Sequence, residues 1–376
     1  MSAPDVLFAL VGDVRRNSRA LRQLRALAAL GARVEVLTLG PPAADAVWEA
    51  GLRLRVLPAP PGAGPRFFGR MHRQVLAAAR DVPARVYHAS DLYTLPALQA
   101  AARRHGGRLV YDARECYPHV SATAGRPWVS AFWQLLEGRY VRRADAVFTV
   151  SPSIADHMAA TYGIAPPVVL FNAPAHRPVT PSDLLRRRAA VPEGHVLLLH
   201  QGQIRPDRGG TRLVEAMRHV RGATLVFLGD GPLRPALEAR AAAEALPVRF
   251  VDPVPPDDLL PVTASADVGI TLLEDTCLNH RLALPNKLFE YLAAGLPVLG
   301  SDLPEIRRVI VEHDVGCVVN PADPQALRDT IQRMVDDANA RRRWAARAPA
   351  AADTFGWERT SKRFIQVYQS LLSGPP

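Results

Sequence analysis

Short apolar runs alternate with amphipathic stretches along the whole chain, and this alternation limits the possible folds more than any other feature. The apolar runs are mostly continuous in Val, Leu, Ile and Phe, which is typical of parallel strands buried on both faces. They lie at 5–11, 33–39, 85–88, 107–112, 146–150 and 167–171, and then at 195–200, 223–228, 248–251, 267–272, 297–300 and 316–319. Strands that alternate with helices in this way predict a doubly wound α/β architecture.

The stretches between these runs have the apolar spacing of helices. Ser151-Pro152 supplies one of them with an N-cap and a proline at the first helical position. The tail 356–372 is predicted to be one amphipathic helix. The other predicted helices include 18–30, 91–104, 152–162, 232–245 and 323–340.

The number of predicted strands is too large for one ordinary domain, and a change in composition marks a boundary between two domains. The segment 172–194 is rich in proline and arginine and has no strand-like run. We therefore predict a Rossmann-like domain over 1–175, a linker over 176–194 and a second Rossmann-like domain over 195–355. The proline-rich stretch 41–65 is predicted to be an irregular loop of the first domain. Open α/β sheets bind ligands at their strand carboxyl ends, so the expected site is a cleft between the domains.

Composition excludes several classes of protein. No apolar run approaches the roughly 18–20 residues that span a bilayer. Cys116, Cys277 and Cys317 form no CxxC pair, which favours a reduced cytoplasmic protein over a disulfide scaffold. The net charge is +10, but the arginines are spread along helices and no aromatic-plus-basic motif accompanies them. Binding of nucleic acid is therefore disfavoured against a solvated basic surface.

Two glycine-bearing turns follow strands of the second half. Gly202 to Gly210 follows the strand that ends near His200, and it carries Arg205, Arg208 and Gly209. Such a turn exposes backbone N–H groups that attract phosphate. A turn that carries surface arginines and binds no ligand would have the same sequence pattern. The second turn, Gly229-Asp230-Gly231-Pro232, indicates either room for a ligand near the backbone or simply a tight turn.

The most specific motif is Pro285-Asn286-Lys287-Leu288-Phe289-Glu290-Tyr291. It predicts a helix with Asn286 as its N-cap, Lys287 at the positive end and Glu290 on the same face. Lys287 would bind the diphosphate of a nucleotide sugar, and the Glu290 carboxylate would accept hydrogen bonds from its ribose hydroxyls. The alternative is that the two side chains form an ordinary solvated ion pair. Lys287 and Lys362 are the only lysines in a chain that otherwise uses arginine, which favours the functional interpretation.

Together these blocks resemble the donor domain of the retaining family 4 glycosyltransferases, in the subgroup with a Pro-Asn-Lys-Leu-Phe-Glu-Tyr motif. The resemblance implies a GT-B architecture, in which two Rossmann-like domains face each other across a cleft and the C-terminal helix packs back on the first. It implies that Arg208 and Lys287 hold the donor diphosphate, that Glu290 holds the ribose, and that the loop 275–286 with Asn279 surrounds the sugar. Leu282 stands where many relatives have a first glutamate, and Gln203 stands where arginine is common.

Candidate acceptor residues follow three strands of the first half. They are Gly12, Asp13, His88, Ser90, Asp91, Arg114 and Glu115. In similar enzymes, histidines occupy the positions of Ser90 and Arg114. His88 by itself is more often a packing residue than a catalyst.

The resemblance implies transfer of a hexose-type sugar from a nucleotide-diphosphate sugar to a hydroxyl acceptor with retention of configuration. Arg208, Lys287 and Glu290 would be the catalytic residues, and neither a metal nor a further cofactor would be required. A lipid-linked acceptor and the basic first domain are compatible with peripheral contact to an anionic membrane. The alternatives are a sugar-nucleotide epimerase or a phosphorylase on the same fold, and a catalytically degenerate protein that serves as a binding partner.

Overall fold

The computed structural model describes residues 3–40, 46–49, 51–62, 64–174, 179 and 182–374. The chain forms two compact units, one made of Met1–Phe171 with Glu358–Pro376 and the other of Asn172–Trp357. Each unit is built on one sheet of mostly parallel strands connected by helices. Among the described residues, no helix combines the length and the apolar character that crossing a membrane requires.

The first unit has eight strands in the order β3-β4-β2-β1-β5-β6-β7-β8, and all neighbours are parallel except β3 and β4. The strands are β1 (Val6–Val11), β2 (Val34–Gly40), β3 (Ala46–Glu49), β4 (Leu52–Pro58), β5 (Val86–Ala89), β6 (Arg108–Ala113), β7 (Ala146–Thr149) and β8 (Val168–Val169). The helices are α1 (Ser18–Ala29), α2 (Gly64–Ala79), α3 (Leu95–His105), α4 (Pro127–Val141) and α5 (Pro152–Tyr162), with 3₁₀ turns at Val14–Arg16, Tyr117–His119 and Ser121–Thr123.

The prediction of an irregular loop over 41–65 was wrong. β3 and β4 form within it, and α2 begins there, while residues 41–45, 50 and 63 lie outside the described residues. In β4 the buried Leu52 and Leu54 alternate with Arg53, which is exposed, and Arg55, which is half-buried. A search for continuous apolar runs misses such a period-two strand near the edge of a sheet.

The second unit has six parallel strands in the order β11-β10-β9-β12-β13-β14. The strands are β9 (Val196–Gln201), β10 (Ala223–Leu228), β11 (Val248–Val251), β12 (Val268–Thr271), β13 (Val298–Ser301) and β14 (Gly316–Val319). The helices are α6 (Leu184–Arg188), α7 (Gly210–Ala216), α8 (Arg234–Ala243), α9 (Pro256–Thr263), α10 (Leu278–Leu282), α11 (Asn286–Ala293), α12 (Pro304–Glu312), α13 (Pro324–Asp336) and α14 (Ala338–Phe355). The single helix predicted over 323–340 is broken at Asp337, whose side chain caps α14 through the backbone N–H of Ala340.

Part of the predicted linker is packed on the second unit. Leu185 of α6 is buried, and Ser182 Oγ lies 3.0 Å from Ser265 Oγ. Arg186 forms a 2.6 Å ion pair with Asp267, which follows α9. The segment from 182 onward therefore belongs to the second unit instead of being an independent connection.

The C-terminal helix α15 (Trp357–Ser373) belongs to the first unit from Glu358 onward. Its Phe364 and Tyr368 are buried, and the Phe364 ring lies 5.4 Å from that of Phe148 on β7. The Tyr368 hydroxyl lies 2.6 Å from Nδ1 of His88 on β5. These contacts attach the end of the chain to the first sheet.

Candidate functional site

Lys287 lies at the start of α11 in the second unit. The helix begins at Asn286, and the extended Pro285 occupies the N-cap without a side-chain hydrogen bond, so the prediction that Asn286 is the N-cap was wrong by one residue. Asn286 is exposed and Lys287 is half-buried. The Nζ atom of Lys287 lies 3.2 Å from Nε2 of His200 at the end of β9. The helix thus directs its lysine toward the carboxyl end of a central strand.

His200 is a neutral neighbour of this lysine. Its Nε2 atom lies 3.0 Å from the backbone carbonyl of Arg208, and since a carbonyl only accepts, we assign the proton to Nε2. Burial and then the nearby Lys287 hold the pKa of His200 well below its ordinary value. The imidazole therefore adds no charge of its own and links β9 to the turn that carries Arg208.

Two cations share this region. Burial and then the Arg208 guanidinium lower the pKa of Lys287 to about 7, although Glu290 acts in the opposite direction. A lysine so placed loses half of its charge near neutral pH, because burial and Arg208 together outweigh the effect of Glu290. Arg208 and Glu290 therefore both lie within electrostatic reach of Lys287.

A side-chain relay orients Glu290. The carboxamide of Gln201 donates from Nε2 to Oε2 of Glu290, and its Oε1 accepts a 2.9 Å hydrogen bond from the Thr263 hydroxyl. The Tyr291 hydroxyl accepts from the backbone N–H of Gln201 at 3.0 Å, which ties α11 to β9. Sequence reasoning missed Gln201 and Thr263, and the only available signal was a glutamine at the end of an otherwise apolar strand.

The glycines of this region serve the packing of its loops. A Cβ on Gly229 would overlap the carbonyl of Gly202, and one on Gly231 would overlap that of Ile204. The two loops also exchange backbone hydrogen bonds of 2.9 Å, from Gly202 N to Leu228 O and from Ile204 N to Asp230 O. The packing of the two loops therefore accounts for both glycines, as the tight-turn alternative expects, and contact of Gly229 and Gly231 with a ligand stays a prediction.

The remaining donor-side candidates differ in accessibility. Gly202 is exposed with φ +98, and Arg205 is half-buried. Gly209 also has a positive φ of +73, and a Cβ there would overlap Leu272. Asn279 is buried in the short helix α10.

His280, beside Asn279, also lies near the cationic region but was not predicted. Burial and then Arg208 lower its pKa, and its Nδ1 lies 3.1 Å from both the Thr276 hydroxyl and the Glu274 carbonyl. His280 therefore anchors the loop 275–286 next to Arg208.

In the first unit, the side chains of His88 and Asp91 make contacts within the folded core. His88 is fully buried, stacks on Phe8 with ring centroids 4.2 Å apart, and contacts Tyr368; burial lowers its pKa to about 3. Asp91 accepts hydrogen bonds from the backbone N–H groups of Val11 at 2.7 Å and Thr94 at 2.9 Å. The expectation that these two face an acceptor is not met.

The other acceptor candidates are mixed in exposure. Arg114 is one-fifth exposed and lies 3.6 Å from Asp91, while Glu115 is exposed. The Ser90 hydroxyl is buried, with no hydrogen-bond partner among the described residues. Gly12 is exposed, but Asp13 pairs with Arg15 at 2.8 Å and caps the 3₁₀ turn, so its carboxylate is already engaged.

Comparison with known proteins finds a matching family for each of the two units. Residues 17–175 match the glycosyl transferase 4-like domain, and residues 195–337 match the glycosyl transferases group 1 domain. A D-inositol 3-phosphate glycosyltransferase of Xylanimonas cellulosilytica is 26% identical, over 96% of this chain and 92% of its own. A 2-deoxystreptamine glucosyltransferase of Streptomyces kanamyceticus is 28% identical, over 94% of this chain and 98% of its own.

Solved structures agree on the fold. Sucrose-phosphate synthase from Thermosynechococcus elongatus superposes with a TM-score of 0.81 at 18% identity, over 98% of this chain and 99% of its own. Anabaena HepE in complex with UDP and glucose superposes with a TM-score of 0.76 at 16% identity, over 98% of this chain and 100% of its own. The first unit is therefore similar to a glycosyl transferase 4-like domain and the second to a glycosyl transferases group 1 domain, and both have the Rossmann-like fold of the GT-B glycosyltransferases.

Proposed function

We propose that this protein transfers a hexose-type sugar from a nucleotide-diphosphate sugar to a hydroxyl acceptor, with retention of configuration and without a metal. The observation that carries the proposal is the half-buried Lys287 beside Arg208, next to a neutral His200. Two cations held together in partial burial repel each other, and a diphosphate is an anion that relieves that repulsion.

Glu290 supplies the second half of the proposed donor site. Gln201 holds its carboxylate, and Thr263 in turn holds Gln201. A carboxylate oriented in this way accepts from the two neighbouring hydroxyls of a ribose, one helical turn from the lysine that faces the diphosphate. The similarity to HepE, whose structure holds UDP and glucose, supports this class of donor.

The mechanism follows from where charge develops. As the anomeric bond breaks, negative charge accumulates on the departing diphosphate, and Lys287 and Arg208 stabilise it from fixed positions. The acceptor hydroxyl attacks from the face that the diphosphate leaves, which retains the configuration. An oxygen of the departing diphosphate takes the acceptor proton, so the reaction needs no protein base at His88, which is buried.

A catalytically degenerate binding protein is the second candidate. It is favoured by the first unit, where His88 and Asp91 are engaged in packing and Arg114 pairs with Asp91. Such a protein would bind a nucleotide sugar and neither transfer nor hydrolyse it.

A thermal-shift screen against UDP, GDP, ADP and dTDP sugars tests the function. A ligand at 100 times its Kd stabilises the folded state by about 2.7 kcal/mol, so one nucleotide is expected to raise the Tm by several degrees. Incubating that donor with candidate acceptors then separates the two candidates, because only the enzyme forms a glycoside with the donor's anomeric configuration. Stabilisation by none of the four nucleotides would overturn the proposal.

Donor binding is expected to depend on pH through Lys287. With a pKa of about 7 in the free protein, Lys287 is protonated at pH 6 and largely neutral at pH 8. The diphosphate binds the protonated form, so affinity for the nucleotide sugar should fall about tenfold between pH 6 and pH 8. Calorimetry with an intact nucleotide sugar, whose diphosphate does not titrate in this range, measures the change.

Lys287→Arg is the matched control for this titration, because a guanidinium stays charged throughout the range. Its affinity should be nearly independent of pH, whatever its absolute value. An unchanging wild-type affinity, or an equal pH dependence in Lys287→Arg, would remove Lys287 from the diphosphate site.

We also propose peripheral contact between the first unit and an anionic membrane. Trp128, Phe132 and Leu135 on α4 are 75%, 57% and 76% exposed, and their spacing puts them on one helical stripe. The exposed Arg126 and Arg139 lie at its two ends. Neither Trp128 nor Phe132 therefore packs into the core of the first unit.

Vesicle co-sedimentation tests this surface. The double variant Trp128→Ser/Phe132→Ser should bind vesicles containing anionic lipid at least about tenfold more weakly, because each buried aromatic contributes about 1.5–3 kcal/mol. Val311→Ser is the control, since Val311 is an exposed apolar residue of the second unit. Equal binding by the double variant and the wild type would contradict the assignment.

A further inference from the structure

Cys116, His119 and His157 lie together in the first unit. One potential metal ligand from each, the thiol sulfur and a ring nitrogen of each histidine, lies within 4.8 Å of the other two. Cys116 immediately precedes the 3₁₀ turn Tyr117–His119, and His157 comes from α5. Two residues adjacent in a turn and a third from a helix thus converge on one point.

The local backbone prepares the first two ligands. The backbone N–H of His119 donates to the carbonyl of Cys116 at 2.9 Å, which closes the Cys-x2-His turn and puts both side chains on one side. Cys116 is buried and is not in a disulfide, while His119 and His157 are half-buried. The sulfur is therefore shielded from solvent, whereas both histidines are partly exposed.

The two imidazoles are suited to coordination. An imidazole binds a metal through a ring nitrogen, and His119 and His157 each offer one such nitrogen to the cluster. The Ser130 hydroxyl lies 3.2 Å from Nδ1 of His119, a contact of the kind that orients a ligand ring. The ring centroids of the two histidines are 5.5 Å apart in a T-shaped arrangement, so the rings do not stack face to face.

We propose that Cys116, His119 and His157 bind one Zn²⁺ ion, with a water molecule as the fourth ligand. One sulfur and two imidazole nitrogens are a donor set that Zn²⁺ prefers, and three protein ligands leave one tetrahedral position open. Tetrahedral zinc requires ligand separations of about 3.3–3.6 Å, so side-chain rotation has to bring the atoms at most about 1.5 Å closer. Binding displaces the thiol proton to solvent and leaves a thiolate on the metal.

This site is separate from the proposed donor site, which lies in the second unit. The zinc would join the turn after β6 to α5, and it takes no part in the departure of the diphosphate. Loss of zinc binding and loss of donor binding are therefore independent results, and either proposal can fail without the other.

Cobalt substitution gives a direct test. The full-length protein is freed of metal with a chelator and titrated with Co²⁺, which replaces zinc in tetrahedral sites and has visible spectra. We expect one equivalent to give intense tetrahedral d–d bands together with a thiolate-to-cobalt charge-transfer band, and Zn²⁺ to displace it. Zn²⁺ should also raise the Tm of the metal-free protein.

Variants decide which residues are responsible. Cys116→Ser should abolish the charge-transfer band. His157→Gln removes a direct ligand and should weaken Zn²⁺ binding by at least about 100-fold, since the loss of an outer-shell partner alone costs about 10–100-fold. Cys277→Ser, in the second unit, is the matched control and should behave like the wild type. Because His157 is half-buried, its variant remains informative even where Cys116→Ser fails to fold. An octahedral cobalt spectrum, or a charge-transfer band lost in Cys277→Ser and retained in Cys116→Ser, would overturn the proposal.

Discussion

Lys287→Ala is expected to lower the turnover number for sugar transfer by about 10²-fold or more. The lysine ammonium is a donor placed where the departing diphosphate gains charge, and removing one such donor from a transition state typically costs 10²–10³-fold, or about 2.7–4 kcal/mol. Arg208→Ala should have an effect of the same order, since both cations face one anion. The turnover number is measured at saturating donor, so that weaker binding does not contribute to the result.

Lys362→Ala is the matched control. Lys362 is the other lysine of the chain and is exposed on α15, so its removal changes the net charge equally without touching the second unit. The control should keep the wild-type rate. Wild-type rates in both Lys287→Ala and Arg208→Ala would refute the assignment of the diphosphate site.

The central strands of both sheets were predictable because their burial leaves a continuous apolar run. β10 was predicted to the residue at 223–228, and β9 was displaced by one residue from its predicted span. β4 was missed because it alternates in polarity, and the break at Asp337 because helical periodicity continues across it. The sequence therefore reports where a strand is buried more reliably than where the chain turns.

The site was predictable where one residue carried an unusual signal. Lys287 stood out as one of two lysines, and it does lie beside Arg208 and Glu290. The link from Thr263 to Gln201 and on to Glu290 was not predictable, because it joins three elements that are far apart in the chain. Contacts of that kind depend on which strands become neighbours in the sheet, and no local sequence pattern encodes the order of the strands.

Glycine spacing is ambiguous for a physical reason. Gly229 and Gly231 make room for a loop of the same unit, and in sequence that requirement looks the same as room for a ligand. The Cys116-x2-His119 spacing was overlooked for the opposite reason: the third member, His157, lies on a different element and becomes a neighbour only in the folded chain.

Arg19→Met is expected to destabilise the folded protein by about 3–5 kcal/mol, the cost of leaving a buried charge without its partner. Arg19 and Asp112 are 3% and 0% exposed, and the guanidinium donates two hydrogen bonds of 2.7 and 2.8 Å to the carboxylate. Gln23 adds a third at 2.8 Å, and Arg19 also donates to the Leu170 carbonyl at 2.6 Å. This one side chain therefore ties α1 to β6 and to the end of the first sheet.

The pH dependence distinguishes a lost ion pair from a simple packing defect. Burial raises the pKa of Asp112, but Arg19 outweighs that effect and leaves the pKa below its ordinary value. In the wild type this carboxylate stabilises the fold at neutral pH and loses its contribution as the pH falls through the lowered pKa. Without Arg19, burial instead raises the pKa of Asp112, so the variant's deficit should be largest at neutral pH and shrink as Asp112 takes up a proton.

Chemical denaturation at pH 7 and at pH 4.5 measures both effects. The control is Arg15→Met, which removes an arginine whose ion pair with Asp13 lies at the surface, where the two side chains are 38% and 17% exposed. A pair of that kind contributes about 0–1 kcal/mol, so this variant should stay close to the wild type at both pH values. An Arg19→Met deficit no larger than that of Arg15→Met, or one that does not change with pH, would show that Asp112 does not depend on Arg19 for its charge.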